Sequence, residues 1–351
     1  MHIAMLAPVW IPVPPDGYGG IERVLALLVD GLVEQGHRVT LFAAGPGGTA
    51  ARQVTYLEEA PTRHMGKTLF DAYHVGQAYR EIARGDHDIV HDHSGFLGTA
   101  FASLLPQPVV HTLHGPFTRE TSRFYQAFRD DCYYVAISER QMECGPDLNY
   151  LGVVHNAVDI ETHRWLGEKD DYLICLSRIC EDKGTDQAVA LARKAGWRII
   201  LAGKIDEGRD REYFERHVRP HVDGETVVYA GEVTQEEKVR LLSRARAFLF
   251  PIRWEEPFGL VMAESLACGT PVIATRWGAV PEIVQHGVTG WLADSPRELL
   301  SYIGRIDEID PLDCRRAAEE RFSPAVMAAG YAELYQRAME MHHHRMIGVT
   351  P

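Results

Sequence analysis

Two glutamates stand on either side of a short apolar segment in the second half of the chain. Glu256 and Glu264 lie eight residues apart in the sequence EEPFGLVMAESLACGTP. This segment predicts a helix that begins at Pro257 and stops before Gly269, because proline fits a first helical turn and glycine commonly follows a last one. On such a helix the carboxylates would lie about 12 Å apart along the axis. That separation suits two hydroxyl contacts to one extended polar ligand and is too wide for a shared proton or metal ion.

The predicted start of this helix suits an anion. The first N–H groups of a helix have no partner within it and lie at the positive end of its dipole. Phe258, Gly259 and Leu260 would present these groups, and Gly259 would let a ligand approach the backbone. The alternative is an amphipathic helix with solvated glutamates. Glu264 counts against it, because this residue interrupts an apolar run that should be buried, and a buried carboxylate needs partners.

A pair of basic residues offers a second group of anion contacts. Arg178 ends a predicted strand over residues 172–178, and Lys183 precedes a helix predicted to run to about residue 195. The two are five residues apart across a loop, so both side chains can turn toward one anion. Lysine is disfavoured at a helix start, where the dipole is positive, and its presence there favours a functional role over that of a solvated surface residue.

Four histidines lie near the ends of two predicted strands in the first half. His91 and His93 belong to residues 88–93, and His111 and His114 belong to residues 109–115. His-x-His at a strand end is metal-ligand spacing, so one hypothesis for this group is a metal-dependent hydrolase. For any one of these histidines, a hydrogen-bonded structural role is the more common alternative.

A glycine-rich loop follows the first predicted strand. Gly17, Gly19 and Gly20 stand between that strand and an amphipathic helix predicted over residues 21–35. They do not form the Gly-x-Gly-x-x-Gly motif of dinucleotide-binding folds. Gly19 and Gly20 predict a loop whose backbone amides face a ligand, with a plain turn as the alternative.

The elements that would position these residues alternate between strand and helix in two series. This alternation predicts an α/β fold with two Rossmann-like, doubly wound domains, and a chain of 351 residues exceeds what one core usually serves. We predict an N-terminal domain at 1–160, a second domain at 161–323, and a C-terminal helix within 324–351 that crosses back to the first. Ligands in such sheets bind at the carboxyl ends of the strands, so we expect a site in a cleft between the domains.

Composition excludes several classes of protein. The net charge is −13 and both halves are acidic, which is unlike a nucleic-acid binder or a polybasic membrane-surface protein. No apolar run approaches the ~20 residues that span a bilayer, and no basic leader precedes the first strand. The six cysteines form no Cys-x-x-Cys pair and predict reduced thiols. These features predict a cytoplasmic protein without strong membrane association.

The segment EPFGLVMAESLACGTPVIA resembles the Glu-x7-Glu signature of retaining family 4 glycosyltransferases, which have the GT-B fold. The resemblance is dense over the second half and recurs at the N-terminus. It departs from the family pattern at Ser177, His155 and Ala157, where the family usually has glycine, proline and glycine. Alanine tolerates positive φ poorly, so the departure at Ala157 affects the expected backbone there.

The resemblance implies a role for each candidate residue. Glu256 and His114 would contact the donor sugar, and Glu264 would hold the nucleotide ribose. Arg178 and Lys183 would bind the donor diphosphate. The remaining donor-binding positions lie in loops and at the start of the signature helix, and they are Gly19, Gly20, Gly203, Val233, Phe258, Gly259 and Leu260.

The implied function is retaining transfer of a hexosyl group from a nucleotide-diphospho-sugar, UDP-linked or GDP-linked, to a hydroxyl of a small-molecule or saccharide acceptor. The first domain would bind the acceptor and the second the donor. The reaction would use no metal and no cofactor, and a front-face mechanism fits a chain without an evident nucleophile. Two alternatives stay open, namely the histidine-based hydrolase and a sugar-nucleotide epimerase or binding protein of the same fold.

Overall fold

The computed structural model describes residues 1–17 and 19–347. The chain divides into two compact units. Unit 1 contains Met1–Ala157 together with the C-terminal segment from Pro324, and unit 2 contains Val158–Ser323.

Unit 1 is built on a sheet of seven parallel strands in the order β3-β2-β1-β4-β5-β6-β7. The strands are β1 His2–Leu6, β2 Arg38–Phe42, β3 Arg52–Val54, β4 Ile89–Asp92, β5 Val109–Leu113, β6 Tyr133–Ala136 and β7 Tyr150–Val153. The helices are α1 Gly20–Glu34, α2 Thr68–Ile82, α3 Phe96–Phe101, α4 Arg119–Ala127 and α5 Glu139–Cys144, with 3-10 turns at Thr62–His64 and Ala102–Leu104. The last helix of the chain, numbered α13 below, also belongs to this unit and spans Pro324–Met346.

Unit 2 contains a second parallel sheet, of six strands in the order β10-β9-β8-β11-β12-β13. The strands are β8 Tyr172–Leu176, β9 Arg198–Ala202, β10 Val227–Tyr229, β11 Ala247–Phe250, β12 Val272–Thr275 and β13 Gly290–Ala293. The helices are α6 Thr185–Ala195, α7 Arg209–Tyr213, α8 Gln235–Arg244, α9 Leu260–Ala267, α10 Val280–Ile283, α11 Pro296–Ile303 and α12 Pro311–Phe322. Short turns lie at Glu181–Lys183, Phe214–Val218, Arg219–His221 and Ile306–Glu308, of which Phe214–Val218 is π-helical.

Both sheets are buried on two faces, which explains their near-continuous apolar strands. In each sheet the strand order reverses once, between β1 and β4 in unit 1 and between β8 and β11 in unit 2. Ligands of doubly wound sheets bind beyond the carboxyl ends of the strands at such a reversal. The loops that follow these four strands carry Gly19, His93, Arg178 and Glu256, so the candidate residues flank the two reversal points.

The α/β prediction with two Rossmann-like sheets is confirmed. One predicted helix boundary was wrong. Helix α9 begins at Leu260 and not at Pro257, because Gly259 before it adopts a left-handed conformation with φ of 82°. None of the described helices is both long and apolar enough to cross a bilayer.

Candidate active site

Glu256 lies in the loop between β11 and α9, four residues before the helix begins. Its backbone is held by a tight contact with Gly278, where a Cβ atom would come within 2.1 Å of the Glu256 nitrogen. The Glu256 carbonyl also accepts a hydrogen bond from Ala279 N at 2.8 Å. The 12 Å spacing predicted for Glu256 and Glu264 on one helix therefore does not apply, because only Glu264 is helical.

The side chain of Glu256 forms an ion pair with Lys183. One oxygen, Oε2, accepts from the Lys183 ammonium and from the indole N–H of Trp254, the latter at 3.1 Å. The Lys183 ammonium also lies 4.6 Å from the ring centroid of Trp254. Glu256 is only 7% exposed, so this is a largely desolvated cluster of one anion, one cation and an aromatic ring.

Glycine is required where Lys183 approaches this cluster. Gly184 has a left-handed backbone, with φ of 68°, and a Cβ atom there would lie 2.0 Å from the carbonyl oxygen of Pro251. The turn that carries Lys183 is thus packed directly on the end of strand β11. Substitution of Gly184 by any larger residue would push Lys183 away from Glu256.

Arg178 lies after β8 and has its own acidic partners. Its Nη1 is 3.5 Å from a carboxylate oxygen of Asp206 and 3.5 Å from one of Asp210. Gly203 supports this loop, because a Cβ atom there would lie 1.8 Å from the Ser177 carbonyl oxygen. The two basic residues predicted to share one anion are therefore paired with different carboxylates.

Glu264 lies inside unit 2, and the alternative of a solvated glutamate is wrong. The residue is 4% exposed, and its Oε1 accepts from the Lys238 ammonium at 2.5 Å. His163 Nε2 lies 3.6 Å from the same oxygen. The expectation that a carboxylate within the apolar run has partners is confirmed. Val233 precedes Thr234, the residue that caps α8, and α8 supplies Lys238.

The start of α9 itself is partly buried by aromatic packing. Phe258 is 2% exposed and meets the ring of Phe322 edge-on, with centroids 5.9 Å apart. Gly259 forms the N-cap without a side-chain hydrogen bond, and Leu260 is the first helical residue. The amide end of this eight-residue helix is thus preceded by a rigid, glycine-dependent turn.

The glycine loop of unit 1 leads into α1, which begins at Gly20. Gly19 has φ of 154°, and a Cβ atom there would lie 2.8 Å from the side chain of Pro15. Tyr18, which the sequence places in this loop, lies outside the described residues. A buried carboxylate that the sequence did not single out, Glu22, follows on α1, and burial raises its pKa.

Three of the four histidines of unit 1 form a hydrogen-bonded network, whereas the buried Nδ1 of His111 has no hydrogen-bond partner among the described residues. His114 Nε2 is 2.8 Å from His93 Nδ1, and His93 Nε2 is 3.2 Å from His91 Nδ1. Burial, followed by the neighbouring histidines, lowers the pKa of His91 and His93 well below the usual value. Burial also lowers the pKa of His111 and of His114 to about 3. All four rings are therefore neutral near pH 7.

The hydrolase hypothesis gains no support from this arrangement. Among the described residues no group of three or more histidine, cysteine, aspartate or glutamate side chains is placed to hold a metal ion. The ring nitrogens of His91 and His93 are used in hydrogen bonds to each other and to neighbouring side chains.

Three functional candidates were not found from the sequence. Trp254 and Lys238 contact the two signature glutamates, and Glu22 is buried beside the glycine loop. An aromatic residue two positions before Glu256 was an available signal for Trp254. Lys238 stands in an ordinary charged helix and has no distinguishing pattern.

Comparison with known families decides the class of this protein. Residues 18–162 match the model of Glycosyltransferase Family 4, and residues 161–319 match that of Glycosyl transferases group 1. The chain belongs to the GT-B glycosyltransferases. Among curated relatives of this GT-B enzyme, the glycogen synthase of Mycobacterium tuberculosis is 23% identical, with 93% of this chain and 92% of the relative aligned. The D-inositol 3-phosphate glycosyltransferase of Pseudarthrobacter chlorophenolicus is 24% identical over 79% of this chain and 78% of its own.

Solved structures of similar fold cover nearly all of the chain. AviGT4, a glycosyltransferase involved in avilamycin A biosynthesis, is 27% identical with a TM-score of 0.72, covering 97% of this chain and 98% of its own. HepE from Anabaena, solved in complex with UDP and glucose, is 19% identical with a TM-score of 0.70 and covers 96% of this chain and all of its own. The prediction of a GT-B fold is confirmed by these matches.

Proposed function

We propose that this GT-B enzyme transfers a hexosyl group, with retention of configuration, from a nucleotide-diphospho-sugar to a hydroxyl of a small-molecule or saccharide acceptor. The observation that carries the proposal is the cluster of buried Glu256 with the half-buried Lys183 and Trp254 at the strand reversal of unit 2. A cation for a phosphate and an anion for sugar hydroxyls are held there side by side. HepE was solved with UDP and with UDP-glucose, so UDP-sugars are the first donors to test, followed by GDP-sugars.

The chemistry assigned to the site is a front-face displacement. The acceptor oxygen forms a bond to the anomeric carbon while the bond from that carbon to the β-phosphate oxygen breaks. The departing phosphate oxygen takes the acceptor proton. Lys183, Arg178 and the amide end of α9 stabilise the negative charge that develops on the diphosphate. Glu256 orients the sugar hydroxyls, and Glu264 holds the ribose.

The state of the cysteines and glutamates in unit 2 supports this route over a covalent intermediate. Burial raises the pKa of the Cys175 thiol to about 12 and that of Cys268 to about 11, and it also raises the pKa of Cys180. These thiols are protonated at neutral pH and are poor nucleophiles. The buried carboxylates of Glu256 and Glu264 are both engaged by lysines.

The deciding experiment follows release of nucleoside diphosphate and the anomeric configuration of the product by NMR. Purified protein is incubated with UDP-sugars and GDP-sugars, with and without saccharide acceptors. We expect release that depends on the acceptor and a product with the anomeric configuration of the donor. Isomerisation of the donor sugar without transfer would instead indicate an epimerase, and binding of the donor without any turnover would indicate a binding protein.

Sugar transfer should persist in excess EDTA. We expect unchanged kcat, because lysine, arginine and the end of α9 take the place of a metal ion at the diphosphate. The same assay is repeated with added manganese and zinc as a control. Complete loss of transfer on chelation, with recovery on adding a metal, would overturn the metal-independent mechanism.

Arg178→Ala should weaken UDP binding by about 10-fold to 150-fold, because a hydrogen bond to a charged group contributes roughly 1.5–3 kcal/mol. Titration calorimetry measures the change. Arg211→Ala is a matched control, since Arg211 belongs to the same unit and pairs with Glu207 on the surface. Equal UDP affinity in the Arg178 variant and the control would contradict the assignment of Arg178 to the diphosphate.

A further inference from the structure

A chain of hydrogen bonds runs from His114 into the C-terminal helix of the same unit. It passes from His114 to His93 at 2.8 Å, from His93 to His91 at 3.2 Å, and from His91 Nδ1 to the Tyr335 hydroxyl at 2.6 Å. A branch leaves His91 through Nε2 to the Thr112 hydroxyl at 2.7 Å and continues to the Tyr331 hydroxyl at 2.9 Å. Both tyrosines belong to α13 and are buried.

Each ring in this chain carries a single hydrogen on nitrogen. His91 and His93 are buried, and every histidine in the chain is neutral near pH 7, as described above. A neutral imidazole donates through one nitrogen and accepts through the other. The direction of any one bond therefore fixes the direction of the next.

The bond between Tyr335 and His91 sets this direction. Its length of 2.6 Å lies below the usual range for an N–H donor and within that for an O–H donor, so the phenol donates to His91 Nδ1. The reverse arrangement would leave the Tyr335 hydrogen without an acceptor among the described residues, at a cost of about 1–3 kcal/mol. With the Tyr335 phenol as donor, Tyr331 can donate to Thr112, and the hydrogen left over is then that of the Thr112 hydroxyl, which is a weaker donor than a phenol.

The remaining bonds follow from this step. Since His91 Nδ1 carries no hydrogen, His91 donates through Nε2 to Thr112. His93 donates through its own Nε2 to His91 Nδ1, because two unprotonated nitrogens 3.2 Å apart would repel each other, and the single lone pair of Nδ1 is shared between Tyr335 and His93. His93 Nδ1 is then an acceptor, and His114 donates to it through Nε2. Nδ1 of His114 is left with its lone pair, and no described residue is hydrogen-bonded to that atom.

We propose that Tyr335 and His93 are positioning residues that hold His114 in the Nε2–H tautomer, so that Nδ1 of His114 accepts a hydrogen bond from a hydroxyl of the transferred sugar. The contact with the sugar rests on the proposed function. The tautomer does not, because it follows from contacts within unit 1 alone.

The tautomer is measured in the ligand-free protein by long-range ¹H–¹⁵N NMR of histidine-labelled enzyme at pH 7.5. The His114 signals are assigned by their loss in His114→Gln. We expect the Nε2–H form in the wild type. A wild-type His114 with its hydrogen on Nδ1 would overturn the proposal. None of the residues that set the tautomer is substituted in this measurement.

Two tyrosine variants then test whether Tyr335 sets the direction of the hydrogen bonds that lead to His114. Tyr335→Phe removes the donor to His91 Nδ1, and the spare Thr112 hydrogen can then donate to His91 Nε2. Each hydrogen bond between His91, His93 and His114 then reverses its donor and acceptor, and His114 shifts to the Nδ1–H form. Tyr331→Phe is the matched control, because this buried tyrosine lies one turn away on α13 and its hydroxyl is hydrogen-bonded only to Thr112 of the branch. Its ring also packs against His91 and Tyr335, and phenylalanine keeps that packing. Tyr331→Phe should keep the wild-type tautomer, and an unchanged tautomer in Tyr335→Phe would contradict the proposal.

Activity supplies the second readout. Tyr335→Phe should lower kcat/KM for the donor by about tenfold, the effect of losing one hydrogen bond in the transition state, while Tyr331→Phe changes it little. Equal losses in both variants would point to a purely structural role. If the protein transferred no sugar at all, the proposed function would fail while the tautomer result stood.

Discussion

Glu256→Gln should abolish most sugar transfer and at the same time make UDP bind more tightly. Glu256 holds Lys183, the residue assigned to the diphosphate, so the diphosphate must compete with this carboxylate. Removal of its charge releases the lysine, and we expect a UDP affinity about threefold to tenfold higher, equivalent to the net value of roughly one hydrogen bond. Turnover should fall by about 100-fold or more, because contacts that tighten in the transition state govern kcat.

The neighbouring Glu255→Gln is a control for local changes in the loop, since Glu255 accepts from the backbone N–H of Gly278, whereas Lys183 pairs with Glu256. Calorimetry with UDP and steady-state kinetics with a UDP-sugar give the two quantities. Weaker UDP binding in Glu256→Gln would contradict the competition between Glu256 and the diphosphate.

Glu264→Gln provides the contrast, because the ribose does not react. Loss of the Glu264 charge should mainly raise the donor KM. Lys238→Met should have the same effect, because it removes the lysine partner of Glu264. Equal losses of kcat alone at Glu256 and Glu264 would instead indicate a pair of acid–base carboxylates and a different mechanism.

The folded protein should lose stability steeply as the pH falls below about 6.5. Burial lowers the pKa of His74 to about 4 and that of His111 and His114 to about 3, and His91 and His93 are lowered well below the usual value. The unfolded chain takes up protons on these five histidines below pH 6.5, whereas the folded chain does not. Protonation therefore favours unfolding throughout the interval between about pH 6.5 and 3.

Three carboxyl groups of unit 1 act in the opposite direction. Burial raises the pKa of Asp71 to about 6 and also raises that of Asp92 and of Glu22, so the folded state binds protons there that the unfolded state does not. The five histidines outnumber these carboxyl groups, and each histidine that is not offset costs ~1.4 kcal/mol of stability per pH unit. The net effect of acidification is therefore a fall in the free energy of unfolding.

Thermal melts between pH 8 and pH 4.5 measure this loss. His74→Gln should reduce the dependence of Tm on pH, because it removes one of the buried histidines. The exposed His343→Gln should leave that dependence unchanged. A flat Tm between pH 8 and pH 5 would show that the buried histidines do not remain neutral on folding.

The sheets were predictable because each strand is a short apolar run that ends at glycine or at a polar cluster, and such local signals survive folding. The burial of Glu264 was predictable for the same reason, since its neighbours in the helix are apolar. The start of α9 could not be predicted. Proline commonly occupies a first helical turn, but here the left-handed backbone of Gly259 delays the helix until after Pro257. The predicted roles of the site residues stay predictions.

Pairings between distant residues could not be read from the chain. Lys183 and Glu256 are 73 residues apart, and His91 and Tyr335 are 244 residues apart. Both contacts depend on the order of strands in a sheet, which sets where loops and helices meet. The histidines themselves were found because they lie near strand ends, but their tyrosine partners lie on a helix with no distinctive pattern.

The division of unit 1 into two stretches of chain has a consequence for biosynthesis. A ribosome synthesises all of unit 2 before it makes α13, so the nascent chain can form its second sheet while the first unit still lacks a helix. Until then His91 and Thr112 have no tyrosine hydroxyls to bond, and the groove that α13 will fill stays open to water. Assembly of unit 1 is thus completed only after the whole of unit 2 has been synthesised.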